Sequence, residues 1–264
     1  MPATAAIVAR LRAAGCVFAE EEAELIVATA GGPTAVEAMV GQRAGGDPLE
    51  HVLGRVEFCG YLYAVNRGVF VPRRRTELLV TQAVARCRRG AVVVDLCCGC
   101  GAVGATIARA CPDVELHAAD VDPVAVACAR RNLDGIGQVH LGDLAEPLPP
   151  HLPGAVDVLV ANVPYVPTWA LLRMPPEARN HEPHVALDGG PDGLDVLRRL
   201  MSVARRLLVP GGHVLAEVAE RQADAALGVV SAAGLSPEHA IEEELGTVAV
   251  IGRVPAGPGA AGAS

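Results

Sequence analysis

The sequence lacks any unbroken apolar run approaching the roughly 18 residues that a membrane-spanning helix needs. Its hydrophobic fraction is nonetheless 51% of 264 residues and its mean hydropathy +0.34. The excess is Ala and Val scattered among charges, the composition of a globular chain with ample core. The opening residues, Met1 to Arg10, lack a charged stretch leading into an apolar one, so no secretory signal is expected and a cytoplasmic location is. Positive charge is also in short supply: 22 basic against 30 acidic residues give a net charge of -8. That balance excludes a global polyanion-binding surface and disfavours nucleic acid as a partner. A disulfide framework is missing too. The eight cysteines are irregularly spaced, three of them in Cys97-Cys98-Gly99-Cys100, and in a reducing compartment they are expected as thiols. Adjacent and once-spaced thiols on one turn do not give the spacing of a tetrahedral zinc site, so no metal ligand is assigned.

What is present divides into parts. Residues 1–54 carry apolar positions at near-helical spacing: Ile7, Val8, Leu11 and Phe18, then Leu25 and Ile26, then Val36, Met39 and Val40. Gly31-Gly32-Pro33-Thr34 and Gly45-Gly46-Asp47-Pro48 separate these helices, and a short one is expected around Leu49 to Leu53. Residues 55–75 read as a β-hairpin linker: Phe58, Tyr61, Tyr63 and Val65 alternate, Asn66-Arg67-Gly68 offers a turn, and Val69-Phe70-Val71 follows. Residues 76–254 form the larger domain, where short β-branched runs alternate with helical stretches, the pattern of βαβ units and a mostly parallel sheet. Strands are expected over 91–96, 114–119, 137–141, 156–161 and 212–218, with a closing pair near 238–244 and 247–253. An amphipathic helix spans Gly193 to Leu208, and Pro210-Gly211-Gly212 stops it. Residues 255–264 are Gly, Ala, Pro and Ser, and are expected to form a disordered tail.

The run Val92 to Gly104 is a buried strand entering a loop of small residues and then a helix, so backbone amides can approach a ligand closely. Gly99, Gly101 and Gly104 satisfy the spacing of a dinucleotide fingerprint. Two features argue for another ligand. Asp95 stands at the strand end before the loop, and the second strand finishes in Ala118-Ala119-Asp120-Val121-Asp122. Asp120 can accept both hydroxyls of a ribose, and Asp95 can face an ammonium group. A lone strand-end Asp is ordinarily a solvated carboxylate; about 20 residues after such a loop, the ribose role is the better reading.

The fourth strand runs into Asn162-Val163-Pro164-Tyr165. At the carboxyl end of a parallel strand, the Asn162 carboxamide oxygen can accept one hydrogen of an incoming NH₂ group. The following backbone carbonyl can accept the other, and Tyr165 offers a ring face to a planar amide or base. Catalysis there is chiefly positioning and electrostatic stabilisation. Alone, the tetrapeptide is a strand-ending turn; its place in this strand order makes it a candidate catalytic segment.

Asp95 to Gly101 resembles the Asp-x-Gly-x-Gly-x-Gly loop of class I methyltransferases, with Cys97 at the first glycine, a residue that tolerates positive φ poorly. The resemblance implies S-adenosyl-L-methionine as cofactor, held by Asp95, Cys97, Cys98, Gly99, Cys100, Gly101, Asp120, Val121 and Asn162. Asp143 and Leu144, after the third strand, then lie near the adenine. Asn162 to Tyr165 resembles the Asn-Pro-Pro-Tyr motif of enzymes that methylate amide or exocyclic amino nitrogens in proteins, DNA or ribosomal RNA, with Val163 replacing the first proline.

Gly46 to Gly54, Val69 to Val80, and His181-Glu182-Pro183 leading into Ala186 to Asp195 resemble the release-factor glutamine methyltransferase family over residues 40–254. This resemblance implies an α/β, Rossmann-like fold with a seven-stranded mostly parallel sheet and a small helical N-terminal substrate-recognition domain. It implies methyl transfer to a glutamine amide in a release factor or another glutamine-bearing protein, and a stretch around His181, Glu182 and His184 that shapes the acceptor pocket. Arg74 and Arg75 depart from the proline and acidic residue of the family, which points to a paralogous branch, and the run Arg73 to Arg75 is expected to be solvated. An exocyclic amino nitrogen of nucleic acid or a small molecule is the alternative acceptor; a cofactor-binding shell without catalysis is a third reading. A monomer is favoured.

Overall fold

The computed structural model describes residues 4–255. The first three residues, and the tail from residue 256 where a disordered end is expected, lie outside the described residues. Four helices open the chain: α1 (Thr4–Ala13), α2 (Ala19–Thr29), α3 (Pro33–Ala44) and α4 (Leu49–Leu53). Pro33 occupies the first turn of α3, where its missing N–H has no helical partner to lose. Ile7, Leu11, Ala23, Ile26, Val36 and Val40 close a small core among them. Phe18 and Leu25, expected on the apolar stripe, instead face outward at 66% and 43% exposure. Phe18 precedes the first turn of α2, so the helical period does not govern it, and Leu25 lies off the buried face set by Ala19, Ala23 and Ile26.

A two-stranded hairpin follows, β1 (Arg55–Phe58) and β2 (Tyr61–Ala64). Its turn is Cys59-Gly60, not Asn66-Arg67-Gly68, and residues 69–71 form no strand. The physical reason is backbone twist: Cys59 and Gly60 take φ of 51° and 76°, and two successive positive φ values match a two-residue turn to twisted strands.

After α5 (Glu77–Val84) come β3 (Val92–Leu96), α6 (Ala102–Ala110), β4 (Glu115–Asp120), α7 (Pro123–Asn132), β5 (Gln138–Leu141) and β6 (Val156–Ala161). The chain continues through α8 (Pro176–His181), α9 (Asp195–Leu207), β7 (Leu208–Ala219), α10 (Ala223–Ala232), β8 (Ser236–Glu242) and β9 (Thr247–Arg253). The seven strands β3 to β9 form one sheet of order β5-β4-β3-β6-β7-β9-β8, antiparallel only where β9 pairs with β7 and β8. Side chains alternate between its faces. Val93, Val158 and Val160 join α5, α6, α7 and the hairpin, whereas Val94, Leu159 and Ala161 join α9 and α10. On α9, Leu197, Leu200, Met201, Ala204 and Leu207 are buried on one stripe.

Pro210-Gly211-Gly212 does not precede β7 but lies inside it. Val156 pairs with Leu208 and Val158 with His213, so residues 209–212 bulge out of register. Between β6 and α9 lie elements not expected from the sequence: α8 and two 3₁₀ turns, Thr168–Arg173 and His184–Ala186. Among the described residues no helix is long and apolar enough to cross a membrane.

Candidate active site

The strand order reverses at β3, whose neighbours β4 and β6 leave it in opposite directions across the sheet. Such a reversal opens a crevice at the carboxyl ends of the strands. A cavity occupies it, and its wall includes Asp95, Cys97, Cys98, Gly99 and Cys100 after β3, Asp120 and Val121 after β4, and Asp143 and Leu144 after β5. Asn162, Val163, Pro164 and Tyr165 after β6 line the same cavity. Gly101 alone among the candidate positions is not on the wall. It is buried behind it at φ 79°, and a Cβ there would stand 3.1 Å from Leu133 and 3.2 Å from Ala129 of α7. Its glycine serves the close approach of α6 and α7.

The loop is organised by two carboxylates. Asp95 is 1% exposed and its Oδ2 accepts from the Gly104 N–H in the first turn of α6, at 2.9 Å. Burial, with some repulsion from Asp120, pushes its carboxyl up to about 7. Asp120 accepts from the Gly99 N–H at 2.8 Å and from the Asp122 N–H at 2.9 Å, tying the loop to β4. Its carboxyl is also raised, chiefly by burial. Cys97 takes the left-handed conformation that its glycine counterpart would adopt freely, with φ 54°. Leu144 is likewise left-handed, φ 47°, and Asp143 pairs with Arg199 of α9.

On the acceptor side, Asn162 Nδ2 donates to Thr76 Oγ1 at 3.3 Å, which orients the carboxamide. Val163 is 1% exposed. The Tyr165 hydroxyl donates to Glu217 Oε1 at 2.8 Å, and Arg75 Nε donates to the same oxygen at 3.0 Å. The Arg75 guanidinium also lies 5.7 Å from the Tyr165 ring centroid. Arg73 pairs with Glu182, whose other oxygen, Oε2, is buried without a hydrogen-bond partner among the described residues. Burial raises the Glu182 carboxyl, against the pull of Arg73.

Arg73 and Arg75 therefore correct the expectation of a solvated basic run, since only Arg74 is exposed. Both line the cavity because their partners, Glu182 and Glu217, are buried carboxylates distant in sequence. Sequence reasoning also passed over Thr76 and Arg199, whereas Glu182, expected in the stretch that shapes the acceptor pocket, does line the cavity. The signal available was the departure at Arg75 beside an Asn-containing motif. His181 does not reach the cavity wall; its Nδ1 faces Asp47 at 3.1 Å.

A second groove shares Arg73, Arg75, Met174 and Glu182 with the cavity and runs to Phe18, Leu25 and Leu49 of the N-terminal helices. Arg43 of α3 bridges its sides: it holds Glu22 of α2 with two nitrogens, at 2.6 and 2.9 Å, and Glu177 of α8 at 2.6 Å.

A mostly parallel sheet with its reversal at β3, an acidic strand end before a small-residue loop, and an Asn-containing β6 terminus on one cavity define a Rossmann-like methyltransferase. A solved methyltransferase from Pyrococcus furiosus has the same fold, with a TM-score of 0.54 at 17% identity over 73% of this chain and 89% of that one. The family model of the methyltransferase small domain matches residues 66–170. The release factor glutamine methyltransferase of Geobacter sulfurreducens is 36% identical over 221 residues, covering 83% of this chain and 77% of that protein. Its namesake from Streptomyces coelicolor is 41% identical over 190 residues, 70% and 67% of the two chains. The 4-amino-L-phenylalanine/4-methylamino-L-phenylalanine methyltransferase of Streptomyces pristinaespiralis is 38% identical over 179 residues, 65% and 61%. The chain belongs to the release factor glutamine methyltransferase family, and its cofactor is S-adenosylmethionine.

Proposed function

We propose that this enzyme methylates the side-chain amide nitrogen of a glutamine in a protein, either a peptide-chain release factor or another glutamine-bearing protein. The observation that carries this reading is that Asn162 to Tyr165 and the loop Cys97 to Cys100 line one cavity. The activity for which the Geobacter and Streptomyces coelicolor relatives are named supports the acceptor.

The residues present fit the cofactor. Asp95 is a buried carboxylate whose only hydrogen-bond partner among the described residues is a backbone N–H, an environment that a ligand ammonium group stabilises. Asp120, at the end of β4, keeps lone pairs for ribose hydroxyls beyond the two N–H groups that it holds. A Cβ at Gly99 would meet nothing within 4 Å, so the loop leaves open approach above it. Cys97, Cys98, Cys100, Val121, Asp143 and Leu144 complete that wall. When bound, S-adenosylmethionine supplies a methyl group already activated by its sulfonium.

The protein's part is to hold the acceptor nitrogen. Asn162 Oδ1 would accept one N–H and the carbonyl of Val163 the other, leaving the nitrogen free to meet a methyl group supplied from the cofactor side. Replacing proline by Val163 keeps that carbonyl. The Tyr165 ring, held by its hydroxyl on Glu217, bounds the planar amide. The proton displaced on transfer leaves to water, and no buried base is required.

The groove from the cavity to the N-terminal helices supports a macromolecular acceptor, with residues 1–54 as its recognition domain, 55–75 as linker and 76–254 as the catalytic domain. A protein rather than a nucleic acid as partner accords with the acidic balance. A second reading is an aromatic amine, because the Streptomyces pristinaespiralis relative is named for one and an aniline NH₂ presents the same two hydrogens.

The test is transfer of radiolabelled methyl to purified release factor, total cell protein, RNA and 4-amino-L-phenylalanine, by wild type and Asn162→Ala. Expected is label on a protein glutamine, reduced about 10²–10³-fold in the variant at saturating S-adenosylmethionine. Label confined to RNA or to the amine overturns the protein acceptor.

A further inference from the structure

Off the cavity wall, around the first half of β4, three imidazoles and a carboxylate converge. Glu115 is the first residue of β4, whereas Asp120, on the cavity wall, is the last. Glu115 Oε1 lies 2.9 Å from His117 Nε2 and 3.1 Å from His151 Nε2. His117 Nδ1 lies 3.1 Å from His140 Nε2 on the neighbouring strand β5. One ligand atom from each of Glu115, His117 and His151 falls within 4.8 Å of the other two. None of these four residues lines the cavity.

We infer that Glu115, His117 and His151 form a binding site for a divalent transition-metal ion, with zinc its natural probe. With metal–ligand bonds of about 2.0–2.1 Å, tetrahedral donors stand about 3.3 Å apart, close to the two short separations here. Two imidazoles and one carboxylate are a recognised zinc donor set, leaving a fourth position for water. His117 anchors the site: its side chain is 0% exposed, while those of Glu115 and His151 are 49% and 59% exposed. With one ligand already fixed by burial, only the two surface side chains remain to be ordered on an ion. His140 supplies what a metal-bound imidazole needs behind it. With the ion on Nε2, His117 Nδ1–H donates to His140 Nε2, fixing tautomer and ring orientation. The ion would fasten the connection between β5 and β6, which carries His151, to the start of β4. That connection begins at Asp143 and Leu144 of the cavity wall, so the clamp steadies the far end of a segment that the cofactor side uses.

The site is tested on the full chain after chelator treatment, adding zinc alone and following thermal unfolding, then cobalt and following its visible spectrum. At free zinc about 100-fold above Kd, the unfolding midpoint rises by roughly 5–10 °C. One equivalent of cobalt gives the bands of a four-coordinate nitrogen and oxygen site, without thiolate charge transfer. His151→Ala and Glu115→Gln, both at half-exposed positions, each weaken binding at least tenfold while leaving metal-free stability and cofactor affinity unchanged. Absence of binding at micromolar zinc, binding that survives His151→Ala, or a thiolate charge-transfer band from the cysteines overturns the assignment.

Discussion

At the scale of single residues, the cofactor loop carries strain that its sequence announces. Cys97 holds φ 54°, a conformation that costs a side-chain-bearing residue of order 1–3 kcal/mol. Cys97→Gly is expected to raise stability by about 1 kcal/mol after the entropy gained by the unfolded chain, a midpoint shift of ~2–4 °C by calorimetry. An unchanged or lowered midpoint would show that the thiol's packing outweighs the strain. Asp95 gives a pH prediction. Its folded carboxyl titrates near about 7 against 3.8 in the unfolded chain, so the folded state binds the proton more tightly. Its contribution to stability is therefore greatest at acid pH, falls as pH rises towards 7, and is flat above. A cationic ligand restores what is lost, so the cofactor-induced midpoint shift should grow between pH 6 and 8 in wild type and lose that growth in Asp95→Asn. The same scale shows where sequence reading stops. Asp95, Asp120 and Asn162 were legible because strand ends before turns are readable in order. Arg73 and Arg75 were not, because their buried partners lie 109 and 142 residues away and no local pattern encodes such a pairing.

At the scale of elements, periodicity told most and turns told least. The strands of the sheet were legible from β-branched runs, and α9 from its apolar spacing, because burial on one or both faces imposes that pattern directly. The hairpin turn at Cys59-Gly60 was not, since a Cys in the first left-handed position carries no turn signal. Helix α8 and its flanking 3₁₀ turns escaped because segments of three to six residues are too short for a period. The joint between α6 and α7 makes a contrast between two glycines. Gly101→Val places a branched side chain 3.1 Å from Leu133 at φ 79°, and is expected to cost about 2–5 kcal/mol in urea unfolding. Gly99→Ala, at φ 55° over open space, should cost only about 1 kcal/mol of stability yet weaken cofactor binding by obstructing the approach. Equal losses of stability in the two variants would refute the packing role given to Gly101.

At the scale of the whole molecule, charge is used locally. Every one of the 22 basic residues is arginine, and Arg43 spends its planar fork on joining α2, α3 and α8. Glu177 is the half-exposed member of that bridge. Glu177→Ala should therefore move the unfolding midpoint by less than about 2 °C, while raising KM for a protein acceptor several-fold and leaving that for a free amine untouched. An unaltered KM for the protein would remove the groove from substrate recognition.

The burial of Asp95 reaches beyond the reaction. A carboxylate that is disfavoured when alone and relieved by its ligand makes the empty enzyme the more fragile form, and quality-control proteases act on the fragile form. The empty protein is therefore expected to be cut faster in limited proteolysis than the protein saturated with S-adenosylmethionine, and Asp95→Asn is expected to narrow that difference.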